Sequence, residues 1–302
     1  MKIPPIVYIL LVVLLAGGGY YLYSNKLGPF APAGEEQLTS APTTQTRPSD
    51  GGPAPTADPS AQSGTLHIDG STSMVVINKA LSIGYQQQVP EVEVSYKANG
   101  TSQGIAALLA GQAEIAAASR PLKPEEAQRG LKAVPVAVDE IAVVVGVKNP
   151  FQGSLSTGQL ADIFAGRTTN WSQLGGANRP LKVINRNPDS GTYEFFQKVV
   201  LGGAPFGTGS NVTTLSRDET TPLLRALGSD GIGYATVSQV RRQKTVRIVA
   251  INDQLPGTDN EDYPLRRNLY YVYKDPPSPL IKAFIDYALT SDAKSAIRRY
   301  GF

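Results

Sequence analysis

Three short loops combine glycine with small hydroxyl residues, and each leads into a helical pattern. They are Gly70-Ser71-Thr72-Ser73, Gly100-Thr101-Ser102-Gln103-Gly104 and Asp189-Ser190-Gly191-Thr192. The first backbone N–H groups of a helix have no intrahelical acceptor, and the helix dipole favours negative charge there. Any one of these loops reads equally well as an ordinary N-cap. Three of them after successive strand-like segments, with Arg120 and Arg186 close by in sequence, suggest a pocket for a small anion. In Ile184–Phe196 a strand pattern ends at Arg186 and a helix pattern begins near Ser190, so Arg186 can fold over the same helix start. A guanidinium meets two oxygens of a tetrahedral oxyanion at once, which an ammonium does not. Asp189 reads as a brace for Arg186 rather than as a ligand, since a carboxylate repels an anion.

Other chemistries fit less well. Gly100–Gly104 also matches G-x-S-x-G, the nucleophile elbow of α/β hydrolases, where the histidine follows the serine in the chain. The single histidine, His67, precedes it, and a serine without a base is a weak nucleophile. The chain is therefore read as a binding protein and not an enzyme. There is no G-x-x-x-x-G-K-[ST] run, so a P-loop nucleotide site is not expected. The absence of cysteine excludes disulfides, thiol catalysis and thiolate-held metal, and one histidine speaks against a histidine-based metal site. No cofactor and no metal are expected. A net charge of +3, with Arg241-Arg242-Gln243-Lys244 as the one basic run, does not argue for nucleic acid.

The elements that must hold these loops alternate. Strand-like Thr65–Asp69, Glu91–Tyr96, Glu114–Ala118 and Val134–Val138 are interleaved with helix-like Met74–Gln87, Ile105–Ala110 and Pro124–Gly130. A buried run follows at Ile141–Val147, then helix Thr157–Phe164, strand Leu181–Asn185 and helix Thr192–Val200. Strands around Gly231–Tyr234 and Val246–Ile251 come next, and Pro279–Tyr300 closes with two helices. The alternation predicts an α/β layer on a mostly parallel sheet.

Ahead of this lies a different composition. Pro5–Tyr23 carries no charge, and the tyrosines at its end suit a membrane interface, so residues 1–23 read as a signal anchor. A cleaved signal peptide with Ala31-Pro32-Ala33 as its site is the alternative. The Pro/Thr/Gly-rich stretch 24–64 has too few large apolar residues to fold and reads as a tether. Either way the rest of the chain is expected to be exported, held at the periplasmic side of the inner membrane or released from it.

From Thr65 to Phe302 the sequence resembles the phosphate-binding proteins of ABC-type phosphate importers, type II members of the periplasmic binding protein superfamily. Their loops read approximately G-[SA]-[ST], G-S-[SG]-x-G-[IV], S-D or S-R, and R-x-x-x-S-G-T. Here they are Gly70-Ser71-Thr72, Gly100–Ile105, Ser119-Arg120 and Arg186–Thr192. The stretches Thr169-Asn170-Trp171, Gly231–Tyr234 and Leu269–Tyr273 also look like the family. The resemblance implies two α/β lobes joined by two crossing strands, with lobe 1 at 65–143 and 268–302 and lobe 2 at 144–267. The outward crossing falls at Ile141–Val147 and the return at Pro264–Val272. It nominates Ser71, Thr72, Thr101, Ser102, Arg120, Arg186, Ser190, Gly191 and Thr192 as ligand contacts. It further implies a monomer that passes inorganic phosphate to an importer's membrane subunits. An anchored oxyanion sensor or scaffold, or a binder of sulfate, molybdate or tungstate, is the alternative. Well-known members carry an aspartate where this chain has Arg120, and it accepts the proton of hydrogen phosphate. Asp139 or Glu140, just before the outward crossing, is a candidate substitute acceptor, with a structural role as the commoner reading for such residues.

Overall fold

The computed structural model describes residues 63–257, 261–300 and 302. The expected anchor at 1–23 and nearly all of the tether lie outside them. No helix among the described residues is long and apolar enough to cross a membrane.

The elements follow the expected alternation. Strand β1 (Gly64–Gly70) leads through a 3-10 turn at Thr72–Met74 into α1 (Val75–Gln88), then β2 (Val92–Tyr96), α2 (Thr101–Leu109) and β3 (Ile115–Ala118). After α3 (Pro124–Gln128) comes the long β4 (Leu131–Gly146), then α4 (Thr157–Phe164), β5 (Lys182–Asn185) and α5 (Gly191–Val200). The chain continues through β6 (Val212–Thr214), α6 (Thr220–Ala226), β7 (Gly231–Thr236), α7 (Val237–Val240) and β8 (Val246–Val249). It returns through β9 (Arg266–Lys274) to α8 (Pro279–Ala288) and α9 (Ser291–Arg298).

The strands form one curled sheet in the order β2-β1-β3-β9-β4-β7-β5-β6, with β8 also on β4. Strands β1, β2 and β3 pair in parallel, as do β5, β6 and β7. Around the middle every pairing is antiparallel. The mostly parallel expectation is thus corrected in the centre of the sheet. Helical crossovers impose parallel pairing, whereas β4 and β9 run in opposite directions between the two halves.

The segments Val134–Val138 and Ile141–Val147 prove to belong to one strand. Over Leu131–Glu140, β4 pairs with β9; from Ile141 on it pairs with β7 and β8. Along the β9-paired stretch, exposed positions at Lys132, Pro135 and Val138 interrupt the buried ones. Beyond it, Ile141 to Val145 are completely buried, which gives the unbroken apolar run.

Each half has its own core. Leu66, Ile68, Ile77, Leu81 and Phe284 pack α1 and α8 against the first half, and Ile105 and Leu108 of α2 cover its other face. In the second half the rings of Phe164, Phe196 and Tyr234 pack together, with Phe196 and Tyr234 stacked 3.9 Å apart. This is a two-lobe architecture, and the glycine-hydroxyl loops stand at the C-terminal ends of β1 and β5 and before α2.

Candidate functional site

The three loops meet. At the end of β1, Ser71 N–H donates to Ala117 O (2.8 Å) and the Ser71 hydroxyl accepts from Ser73 N–H (3.2 Å), which fixes the short turn carrying Thr72 and Ser73. Gly100 takes φ 104°, a conformation that favours glycine, and its N–H donates to Gly70 O (2.8 Å). That turn starts α2 at Thr101, whose Oγ1 accepts Ser119 N–H (3.2 Å) and lies 3.2 Å from Ser119 Oγ. From the other lobe, Ser190 caps α5 by accepting Thr192 N–H (3.2 Å). Gly191 is pressed against the first lobe, where an added Cβ would sit 2.5 Å from both Thr101 Oγ1 and Ser119 Oγ. Two helix starts from different lobes therefore converge on one cluster of buried hydroxyls, an arrangement suited to a small anion.

Arg186 runs through this cluster and is 1% exposed. Its Nε donates to Ser190 Oγ (3.0 Å) and Asp218 Oδ1 (2.9 Å), and its Nη2 to Thr72 Oγ1 (2.9 Å) and again to Asp218. Thr72 in turn donates to Asp218 Oδ2 (3.1 Å), and its carbonyl accepts Gln239 Nε2 (2.7 Å). The guanidinium is thus held from both lobes and by a carboxylate of its own.

A second buried guanidinium, Arg267 on β9, lies on the other side. It is paired with Asp139 (2.8 Å) and also reaches Ser73 and Thr192. Burial raises the Asp139 carboxyl above its ordinary range, against the opposing pull of Arg267 and of hydrogen bonds from Thr236 and Arg267. Burial likewise lowers Arg267, against the pull of Asp139.

Of the nominated residues, Thr72, Thr101, Arg186, Ser190, Gly191 and Thr192 gather at this point. Ser71 is buried beside them and spends its oxygen on the turn. Ser102 stands at the seam between the lobes, its N–H on Asp189 O (3.2 Å) and its hydroxyl on Glu194 (3.3 Å). Arg120 is placed differently. Its guanidinium binds both oxygens of Glu126 (2.7 and 2.8 Å) and Pro121 O, and its Nε lies 2.5 Å from Glu194 Oε2. These carboxylates on α3 and α5 take the positive charge, and none of its hydrogen bonds goes to the hydroxyl cluster. Asp139 as a ligand-proton acceptor also meets an obstacle, because both of its oxygens are engaged, by Arg267 and by Thr236.

Sequence reasoning missed Ser73, Ser119, Asp218 and Arg267. The Ser119-Arg120 motif lies at this corner, where Ser119 joins the cluster and Arg120 turns to Glu126 and Glu194. Asp218 and Arg267 are brought in by strand register and by an irregular loop, for which no local pattern exists. His67 Nδ1 is 2.7 Å from Ser95 Oγ, and the hydrogen bonds of Ser102 go to Asp189 and Glu194, so the structure does not bring this serine and histidine together.

A family model described as a PBP superfamily domain matches residues 55–292. The phosphate-binding protein PstS of Pseudomonas aeruginosa is 31% identical over 276 residues, covering 80% of this chain and 84% of that protein. The chain belongs to the PstS family of phosphate-binding proteins. Protein SphX of Synechococcus elongatus is 33% identical over 204 residues, and there the match spans 59% of the relative's length. Among solved structures, a phosphate ABC transporter substrate-binding protein from Clostridium perfringens, with bound phosphate, superposes with a TM-score of 0.71. It is 30% identical, and the match covers 79% of this PstS-family chain and 98% of that one. An ABC-type phosphate transport receptor from Vibrio cholerae gives a TM-score of 0.65 at 29% identity, covering 78% and 98% of the two chains.

Proposed function

We propose that this protein captures inorganic phosphate between its two lobes outside the cytoplasm and delivers it to the membrane subunits of an ABC importer, making and breaking no bond. The carrying observation is the buried Arg186, which ties Thr72 of one lobe to Ser190 of the other. Charge-assisted hydrogen bonds from such a group are roughly twice as strong as neutral ones and match a tetrahedral oxyanion. The names of the PstS relatives and the phosphate bound in the Clostridium perfringens structure support the same ligand. Thr72, Thr101, Ser190, Gly191 and Thr192 surround the anion with Arg186 in this reading, and Ser71 and Ser102 shape their turns.

Asp218 takes the discriminating role. It is a buried carboxylate in the cluster, with one oxygen on Arg186 and the other accepting, among the described residues, the Thr72 hydroxyl alone. A carboxylate beside an oxyanion is tolerable when a proton lies between them. Hydrogen phosphate supplies that proton and sulfate does not.

The lobe limits 65–143 with 268–302, and 144–267, belong to the same reading and are supported by the exchange of strand partners along β4 at Ile141. The apolar Pro5–Tyr23 segment supports export and an anchor at the membrane, and the protein acts as a monomer. Calorimetric titration of the protein with phosphate and with sulfate tests the proposal. Saturable one-to-one binding of phosphate with much weaker sulfate binding is expected, and no heat with phosphate overturns it.

A further inference from the structure

The sheet changes partners at a buried ion pair. Asp139 on β4 lies opposite Arg267 on β9, one residue from the last β4–β9 pair and two from where β4 takes up β7. Both side chains are almost fully buried, at 1% and 2% exposure. Nε and Nη2 of Arg267 donate to one oxygen of Asp139 (3.0 and 2.8 Å), while the other accepts the Thr236 hydroxyl. A desolvated pair of this kind is a poor source of net stability. Its further contacts point elsewhere.

Nη1 of Arg267 donates to Ser119 O (3.0 Å) in the first lobe. Nη2 also donates to Ser73 Oγ (3.0 Å) and Thr192 Oγ1 (2.9 Å), one from each lobe, and these oxygens are 3.0 Å apart. Arginine has donors and no acceptor. Nη2 has two hydrogens for three acceptors, so one serves Asp139 and the other is shared between the two hydroxyl oxygens, whose own protons point away from it. One proton closes the Ser73–Thr192 bond. The other finds no acceptor among the described residues, and an oxyanion supplies one.

We propose that Arg267, clamped by Asp139 where the two long strands cross, is a positioning residue that commits Ser73 and Thr192 as donors to the bound anion and ties anion affinity to lobe closure. This rests on the phosphate reading above and deepens it. Arg267 holds first-lobe groups and the hinge directly, so parting the lobes breaks its bond to Thr192 and releases the hydroxyl arrangement.

The test is calorimetric titration of inorganic phosphate into the full chain, with thermal unfolding with and without phosphate. Arg267→Lys keeps the charge beside Asp139 but cannot span Ser119 O and both hydroxyls. The double variant Asp139→Asn, Arg267→Met removes both charges together. Each is expected to unfold cooperatively without ligand, to bind phosphate about 30-fold more weakly and to lose most of the phosphate-induced rise in Tm. Binding within about threefold of wild type in both folded variants overturns the inference. If neither folds, Ser73→Ala and Thr192→Val decide it with the ion pair intact. Each is expected to lose about tenfold in affinity, and wild-type binding in both overturns it. No phosphate binding by the wild-type protein would instead overturn the phosphate reading itself.

Discussion

Every side chain proposed to donate to the anion sits at the end of a strand or the start of a helix, where backbone donors are free and the dipole is positive. At the residue scale, the pairing of Arg186 with Asp218 matters most. The carboxylate orients the guanidinium and leaves its second oxygen near the ligand. Asp218→Asn is expected to narrow the preference for phosphate over sulfate by about tenfold or more, read by parallel titrations with the two anions. An unchanged ratio would remove Asp218 from the selectivity account. Local chemistry made much of this scale legible: Arg186 through Thr192 is a strand end, a turn and a helix start in one continuous stretch. What local chemistry does not show is pairing at a distance. Arg186 meets Asp218 across 32 residues and Arg267 meets Asp139 across 128, and neither partner carries a motif of its own. Arg120 shows the converse, because its motif is recognisable while its charge is spent on Glu126 and Glu194.

At the scale of elements, α3 and α5 are joined through Arg120, which ties Glu126 of the first lobe to Glu194 of the second, with Lys123 also on Glu194 (3.1 Å). Burial raises the Glu126 carboxyl, but hydrogen bonds from Arg120 and the Lys123 N–H, with the charges of both residues, outweigh it and hold the group below its ordinary 4.5. A carboxyl lowered on folding contributes stability above its unfolded value, and that contribution is lost as pH falls through the folded one. Glu126→Gln should therefore cost about 1–3 kcal/mol near neutrality. The gap to wild type should close as pH falls below 4.5. Thermal unfolding of both proteins across pH 3–7, in ~1-unit steps, reads this directly, and a gap independent of pH would contradict it. Most of the order of strands and helices was visible in the apolar periodicity, but β6, α6 and α7 were not, and β9 was placed only by the family resemblance. The continuity of β4 was not visible either, because its two stretches have different environments and so different patterns.

At the scale of the whole molecule, the lobes meet through polar groups rather than through a shared apolar core: hydroxyls, the guanidinium groups of Arg120, Arg186 and Arg267, and their carboxylates. Each lobe keeps its own apolar interior, so the seam can open without exposing a core. Ligand contacts made to both sides then favour the closed form. The strand–helix alternation announced an α/β layer, and the division into two lobes came from the resemblance that the loop motifs carry, whereas the antiparallel centre of the sheet depends on the direction of two strands far apart in the chain. The account as a whole stands on Arg186 as the anion's principal partner. The most direct measurement is calorimetric titration of phosphate into Arg186→Ala beside the wild-type protein. Loss of about 3 kcal/mol or more of binding energy, at least ~100-fold in Kd, is predicted with cooperative unfolding retained. A folded Arg186→Ala protein that binds phosphate as tightly as wild type would contradict it.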